Sequence, residues 1–270
     1  MGPRLAGTLT GGFPVLVMAG LVITIDGPAA SGKSTVAQRL AEKLDAAFLD
    51  TGAMYRAVTI AAKDAGVDMN DEQELLAVME QSKFKFLAEA DPCLGRRNPR
   101  FRGGDVIPAK AGIVPVKTGM RAFVNGIDVT GQIRQPDITA SARYIASAPK
   151  VRAKLVQMQR EFAARHEKVV TEGRDQGTVA FPDADVKFYL TAALPERARR
   201  RQAELRAKGC SQSLEQVRQA IEQRDKSDEH RTVGPLRPAS DAIILDTTNL
   251  SIDEVVGKAL RYVKQKCLKK

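Results

Sequence analysis

The sequence contains no tryptophan, two histidines and three cysteines, and aromatic residues make up 5% of its 270 residues. So few aromatic residues argue against a platform on which the bases of single-stranded nucleic acid would stack. Cys93, Cys210 and Cys267 are far apart and give neither a zinc-ligand spacing nor an even set of disulfides. The two histidines form no evident catalytic dyad. We therefore expect a protein of the reducing cytoplasm whose chemistry depends on neither thiolates nor histidine.

The N-terminus carries an apolar run over 11–25 that resembles the hydrophobic region of a signal peptide. Cleavage there would remove the first predicted strand of the core, so we do not interpret it as a targeting segment. Ala6 stands where a myristoylation signal has Ser or Thr. We expect no membrane association, a functional start at Met18, and a disordered extension over 1–17.

The most informative stretch is Gly27-Pro-Ala-Ala-Ser-Gly-Lys-Ser-Thr35, which matches the phosphate-loop pattern G-x-x-x-x-G-K-[ST]. An apolar strand pattern precedes it and a helical pattern follows, as this motif requires. Backbone N–H groups of such a loop surround a polyphosphate, the lysine reaches its β- and γ-phosphates, and the next hydroxyl can ligate Mg²⁺. The residues predicted to bind the phosphates of ATP are Gly27, Pro28, Ala29, Ala30, Ser31, Gly32, Lys33, Ser34 and Thr35, with Lys33 catalytic and Ser34 the metal ligand.

Apolar runs alternate with helical periods along the chain, which predicts an α/β fold with a parallel sheet. Strands are predicted at 22–25, 47–49, 83–88, 169–172, 186–190 and 243–245, with a hairpin over 122–129 about Asn125-Gly126. Helices are predicted at 33–44, 53–65, 71–81, 133–147, 150–165, 195–208, 214–228 and 252–265.

Residues 92–120 differ from the rest of the chain, with four prolines, five glycines and no helical or strand period. Six basic residues against one acidic residue give this segment +5 of the net charge of +10. We interpret it as a solvated, disordered insertion, although a basic loop that binds nucleic acid is the alternative. The overall charge is therefore a poor guide to function.

Four further motifs narrow the function. They are Leu49-Asp-Thr-Gly-Ala-Met-Tyr-Arg56, Thr171-Glu-Gly-Arg-Asp-Gln-Gly-Thr178, Pro195-Glu-Arg-Ala-Arg-Arg-Arg201 and Glu222-Gln-Arg-Asp-Lys-Ser-Asp-Glu-His-Arg231. In residue content and in order along the chain they resemble the bacterial cytidylate kinase family, over about residues 20–90 and 121–265.

This resemblance implies a P-loop NTPase-type parallel sheet flanked by helices, with an inserted monophosphate-binding domain and a short helical lid. The core would comprise 18–50, 148–193 and 209–270, the acceptor domain 51–147, and the lid 194–208. The implied reaction transfers the γ-phosphoryl group of ATP to CMP and dCMP with Mg²⁺. The implied partners are small nucleotides only, with no nucleic acid and no membrane, and we expect a monomer.

The acceptor phosphate is already anionic, so transfer to it needs positioning and charge neutralisation but no strong base. Arginines are grouped accordingly, and Arg197, Arg200 and Arg201 recur at helical spacing on one face. By resemblance the catalytic residues are Lys33, Arg174, Arg197, Arg201 and Arg231. By resemblance CMP is bound by Thr51, Arg56, Arg152, Arg174, Asp175, Arg224, Asp228 and Arg231.

The sequence departs from the family pattern at two places. Ala30 stands where relatives usually have glycine, and alanine does not adopt positive φ cheaply, so we expect a slightly different local backbone. Arg143 falls where the family has a serine that contacts cytosine, and Ser141 lies two residues earlier. The alternatives are a hydroxyl-acceptor small-molecule kinase, a basic nucleic-acid-binding P-loop NTPase, and an ATP-binding protein without activity.

Overall fold

A computed structural model describes residues 20–88, 119–207 and 209–267. Its main sheet has five parallel strands in the order β2-β6-β1-β7-β8. The strands are β1 (Leu21–Asp26), β2 (Ala47–Asp50), β6 (Lys168–Glu172), β7 (Val186–Thr191) and β8 (Ile243–Asp246). Because β1 is central, the loop that leaves its carboxyl end opens into the middle of one sheet edge, where α/β proteins bind ligands.

The helices cover both faces of this sheet. They are α1 (Lys33–Leu44), α2 (Thr51–Asp64), α3 (Glu72–Gln81), α4 (Pro136–Ser147), α5 (Pro149–Ala164), α6 (Leu194–Ala207), α7 (Leu214–Glu229) and α8 (Ile252–Cys267). Strand alternation divides the apolar residues between two cores. Val170 packs with α1 and α8 on one face, whereas its neighbour Val169 packs with α2 and α5 on the other.

A second sheet of three antiparallel strands packs against the α2 side of the molecule. It consists of β3 (Phe84–Ala88), β4 (Met120–Val124) and β5 (Ile127–Asp128), and α2 contacts β4. The β4–β5 turn has positive φ at Asn125 and Gly126, as predicted for this Asn-Gly pair. The extension predicted over 1–17 lies outside the described residues. Residues 92–118 of the disordered insertion predicted over 92–120 also lie outside them.

The predicted parallel α/β fold is confirmed, and each predicted helix and strand is found. One prediction is wrong in detail, because 133–147 is not one helix: a 3₁₀ turn over Gln132–Arg134 is followed by α4 from Pro136. Proline restricts the residue before it to extended backbone, and Gln135 has ψ 143°. No helix within the described residues is long and apolar enough to span a membrane.

Candidate active site

The phosphate loop joins β1 to α1, and its backbone takes conformations that few residues adopt. Gly27 has φ 145°, and a Cβ there would lie 2.0 Å from the carbonyl oxygen of Leu190. Gly32, at the N-terminus of α1, has φ 88°. Glycine at both positions is therefore required by the fold of the loop.

Ala30 has φ 58°, in the left-handed region, and a local backbone slightly different from that of relatives stays a prediction. The residue takes the left-handed conformation that a glycine would take, at a cost on the order of 1 kcal/mol. Its methyl group packs against the apolar cluster that contains Ala198, Val217 and Ile221. The loop therefore carries local strain at Ala30.

Lys33 lies inside this loop with 5% of its surface exposed. Its Nζ donates to the carbonyl oxygen of Pro28 at 2.7 Å. Burial, and then the charge of Arg174, lower the pKa of Lys33 to about 7, while Glu172 opposes the shift. A second positive charge therefore lies close enough to Lys33 to act with it on one phosphate group.

Ser34 and Glu172 place hard oxygen atoms beside the loop. The Ser34 hydroxyl donates to Glu172 Oε1 at 2.9 Å, and the carbonyl oxygen of Glu172 accepts from Thr51 Oγ1 at 2.7 Å. Burial and the neighbouring Asp50 raise the pKa of Glu172. Sequence reasoning missed Glu172, although it directly precedes the Gly-Arg-Asp motif.

Arg174 and Arg224 lie close enough to Lys33 for their charges to lower its pKa. Asp228 accepts from Arg174 Nε at 2.7 Å and also pairs with Arg231. The charge of Arg174, together with burial, lowers the pKa of Arg224 to about 10. A cluster of positive charges that repel one another is a site for an anion.

Arg56 lies close enough to Arg224 for its charge to lower the pKa of that residue. Arg56 Nη2 donates to Asp50 at 3.3 Å, while its Nε is a buried donor with no hydrogen-bond partner among the described residues. Arg134 is another arginine of this region, and burial lowers its pKa, an effect that Asp50 opposes and Arg56 reinforces. Sequence reasoning missed Arg134, because it lies in a turn with no motif.

Arg152 and Asp175 form a buried ion pair at the far end of the cluster, with side-chain exposures of 3% and 7%. The Arg152 guanidinium lies 5.7 Å from the centre of the Tyr55 ring, and its Nε is a buried donor without a partner in the described chain. Burial raises the pKa of Asp175, and the charges of Arg152 and Arg231 oppose the shift. An unsatisfied donor beside a buried carboxylate is a pair of groups that a planar ligand can satisfy.

Arg143 is not brought to this ion pair. Its Nη2 donates to the Tyr144 hydroxyl at 3.0 Å, and its guanidinium lies 4.8 Å from the centre of that ring. Ser141 is half-buried on the same helix. Within the described part of the chain, neither residue forms a hydrogen bond or ion pair with Arg152 or Asp175.

The three arginines that recur on one face of α6 lie in different surroundings. Arg201 is 39% exposed and pairs with Glu204 at 3.0 Å. Arg200 donates to the carbonyl oxygen of Thr247 at 2.6 Å. Arg197 is buried and pairs with Asp225. Of the three, Arg201 is the one most exposed to solvent.

Asp26 connects the two halves of the site and was not predicted. Its carboxylate accepts the backbone N–H of Gln176 at 2.9 Å and that of Gly177 at 2.7 Å, which fixes the turn that carries Arg174 and Asp175. Burial raises the pKa of Asp26 to about 6. Sequence reasoning could have found Asp26 because it directly precedes Gly27, the first residue of the phosphate loop.

Comparison with known proteins shows the family to which the sequence belongs. The family model described as cytidylate kinase matches residues 23–265. A cytidylate kinase of Lactobacillus gasseri is 40% identical over 244 residues, covering 90% of this chain and 94% of the relative. A cytidylate kinase of Anoxybacillus flavithermus is 41% identical over 244 residues, covering 90% and 96%.

Among solved structures, that of TT1252 from Thermus thermophilus is 19% identical with a TM-score of 0.42, covering 92% of this chain and 97% of that chain. The family assignment depends on the sequence relatives and on the family model. The chain therefore belongs to the cytidylate kinase family, a family of nucleoside monophosphate kinases that use ATP as phosphoryl donor.

Proposed function

We propose that this chain transfers the γ-phosphoryl group of ATP to CMP and dCMP, giving ADP and CDP or dCDP. The observation that carries the proposal is the buried Arg152–Asp175 pair next to the arginine cluster. Cytosine presents an acceptor at N3 beside the donor amino group at C4, which matches a guanidinium beside a carboxylate. Uracil presents the reverse order, so it would leave buried groups unpaired.

The proposed reaction forms a bond between an oxygen of the acceptor phosphate and the γ-phosphorus. The bond from the γ-phosphorus to the oxygen of the β-phosphate breaks, and ADP leaves. Lys33 and Arg174 would neutralise charge on the transferred group, while Arg56, Arg231 and Arg224 would hold the acceptor phosphate and sugar. Asp228 would orient two of these arginines, because both of its oxygens accept from them.

The residues around Ser34 fit Mg²⁺. This ion prefers oxygen ligands and keeps several waters, and the Ser34 hydroxyl lies against the Glu172 carboxylate. The described residues contain no cluster of three His, Cys, Asp or Glu side chains that could hold a metal without the nucleotide. We propose that Ser34 and the phosphate oxygens ligate Mg²⁺, which would neutralise phosphate charge, with Glu172 positioning the hydroxyl.

The test is ADP release from ATP and Mg²⁺ with CMP, dCMP, UMP or AMP as acceptor, beside a control without acceptor. We expect turnover mainly with CMP and dCMP. Hydrolysis of ATP without preference for any acceptor would contradict the proposal. The cluster of arginines disfavours the alternative of a hydroxyl-acceptor kinase. That the protein is a monomer and lies in the cytoplasm stays a prediction.

Asp175→Ala in the same assay separates base recognition from donor binding. We expect kcat/KM for CMP to fall by about 10²-fold or more, because Arg152 loses its partner and the cytosine amino group its acceptor. The KM for ATP should change less than twofold. Equal losses for both substrates would show that Asp175 does not recognise the base.

A further inference from the structure

The Ala29 peptide of the phosphate loop is held from both sides by residues of the two helices that follow β7. Its N–H donates to Asp225 Oδ1 at 3.0 Å, and its carbonyl oxygen accepts from Arg197 Nη1 at 3.1 Å. Arg197 and Asp225 pair with each other as well, so the three groups form a closed ring of hydrogen bonds. All three residues are less than 10% exposed.

We propose that Arg197 and Asp225 are positioning residues that hold the phosphate loop in its nucleotide-binding shape, and that neither contacts the phosphates. Arg197 was expected among the catalytic residues of the lid, and Asp225 was not singled out. The inference rests on the proposed function only in requiring that this loop binds ATP.

The hydrogen bonds of Arg197 support this role. Its Nε donates to the carbonyl oxygen of Ala192 at 2.9 Å, and its Nη1 serves both Ala29 and Asp225. To reach a phosphate, the guanidinium would have to leave a buried carboxylate and two carbonyl oxygens. Leaving such partners unpaired inside a protein is unfavourable.

The strain in the phosphate loop explains why Arg197 and Asp225 are needed to hold it in shape. Ala30, the next residue, has φ 58°, and a non-glycine residue stays in that region only when its surroundings fix it. Ala29 is packed with Ala198, Val217 and Ile221, so the ring of hydrogen bonds lies in an apolar environment. Electrostatic attraction is stronger there than in water.

A second contact has the same arrangement. Arg200 donates to the Thr247 hydroxyl at 3.1 Å, and that hydroxyl lies 3.2 Å from the carbonyl oxygen of Ser31. Helix α6 therefore contacts the phosphate loop directly at the Ala29 carbonyl and indirectly, through Thr247, at the Ser31 carbonyl. Arg201, by contrast, is exposed and pairs only with Glu204 among the described contacts, so it is the lid arginine suited to approach phosphate.

The experiment measures the Kd of the non-hydrolysable ATP analogue AMP-PNP with Mg²⁺, without acceptor, in Arg197→Ala, Asp225→Ala and the double variant. We expect each single change to weaken binding by about tenfold or more. The double variant should be no weaker than the worse single one, because the two residues act as a unit. Arg199→Ala and Arg218→Ala remove exposed arginines of the same two helices and should leave the Kd within twofold.

Two conservative variants keep the test valid if an alanine variant does not fold. Asp225→Asn retains an oxygen acceptor for the Ala29 N–H but lacks charge, and Arg197→Lys retains charge but not the forked donors. We expect both to give intermediate Kd values. With saturating ATP, their KM for CMP should stay within twofold of the parent value.

Three results would overturn the proposal. A lower kcat with unchanged AMP-PNP binding in the Arg197 variants would show that Arg197 acts on the transition state. A lower Tm with unchanged Kd would show a purely structural pair. Independent effects that multiply in the double variant would show that the residues do not act together. Failure of the proposed function would instead be seen as absence of CMP-dependent turnover in the parent protein, which leaves AMP-PNP binding measurable.

Discussion

Lys33 is the residue whose charge should respond to nucleotide binding. Burial and Arg174 lower its pKa to about 7, and a bound triphosphate raises it again by favouring the protonated form. Below pH 7 the side chain is already protonated, so this group adds no pH dependence there. Above pH 7 binding must take up a proton, and affinity for ATP should fall by up to tenfold per pH unit.

Calorimetry of AMP-PNP binding at pH 8 in two buffers of different ionisation enthalpy would measure this proton uptake. At that pH Asp26, with a pKa of about 6, is ionised and stays so. Lys33→Met is the control, because it removes the titrating group. Binding without proton uptake at pH 8 in the parent protein would contradict the assigned pKa.

Sequence could identify site residues whose role follows from local spacing. Gly27, Gly32 and Lys33 belong to one motif, and their positions follow from the strand–loop–helix geometry. Asp225 meets Ala29 across 196 positions of the chain, and nothing in either local pattern predicts that contact. Sequence spacing put Arg197 on the face of Arg201, but it could not show that one is buried and the other exposed.

The β4–β5 turn offers a prediction for one element. Gly126 has φ 82° with open space around a would-be Cβ, so Gly126→Ala changes the backbone energy and little else. We expect a loss of about 1–2 kcal/mol of unfolding free energy, the cost of the left-handed conformation for an L-residue. The midpoint of urea unfolding, at unchanged slope, measures it.

Gly131→Ala is the matched control for that turn. Gly131 also has open space, but its φ is −73°, which alanine adopts without strain. We expect this variant to be neutral or more stable by about 0.4–1 kcal/mol, because alanine restricts the unfolded chain. Equal destabilisation by both changes would mean that φ is not the cause.

The first and last residues of a helix could be predicted where the sequence contains a residue that caps or interrupts the helix. Helix α1 begins and ends as predicted, at Lys33 and Leu44. Helix α2 begins at Thr51 rather than 53, because the Asp50 side chain accepts the N–H of Ala53 and caps it two residues earlier. The π-helical turn over Gln176–Ala180 has no such local signal, since the distant Asp26 holds it.

Charge at the scale of the whole molecule predicts how substrates change stability. Arg224 is repelled by the charges of Arg174, Arg56 and Arg231, so an anion that binds among these arginines should stabilise the fold. At 100 times its Kd, CMP should add about 2.7 kcal/mol, or roughly 5–8 °C in Tm. Cytidine lacks the phosphate and is the control, with a shift of about 1 °C or less at the same concentration. Equal Tm shifts with CMP and with cytidine would mean that the stabilisation comes from contacts with the base and not from the arginine cluster.

The pairing of β3 with β4 has a consequence for how this chain tolerates change in length. Ala88 and Met120 are direct partners in the pairing of β3 with β4, so the segment that joins them begins and ends at adjacent points. Closing a segment between such points costs only about 0.6 kcal/mol more for each doubling of its length. A longer segment or a fused reporter domain at this junction should therefore cost little unfolding free energy, which urea unfolding of the fusion would measure.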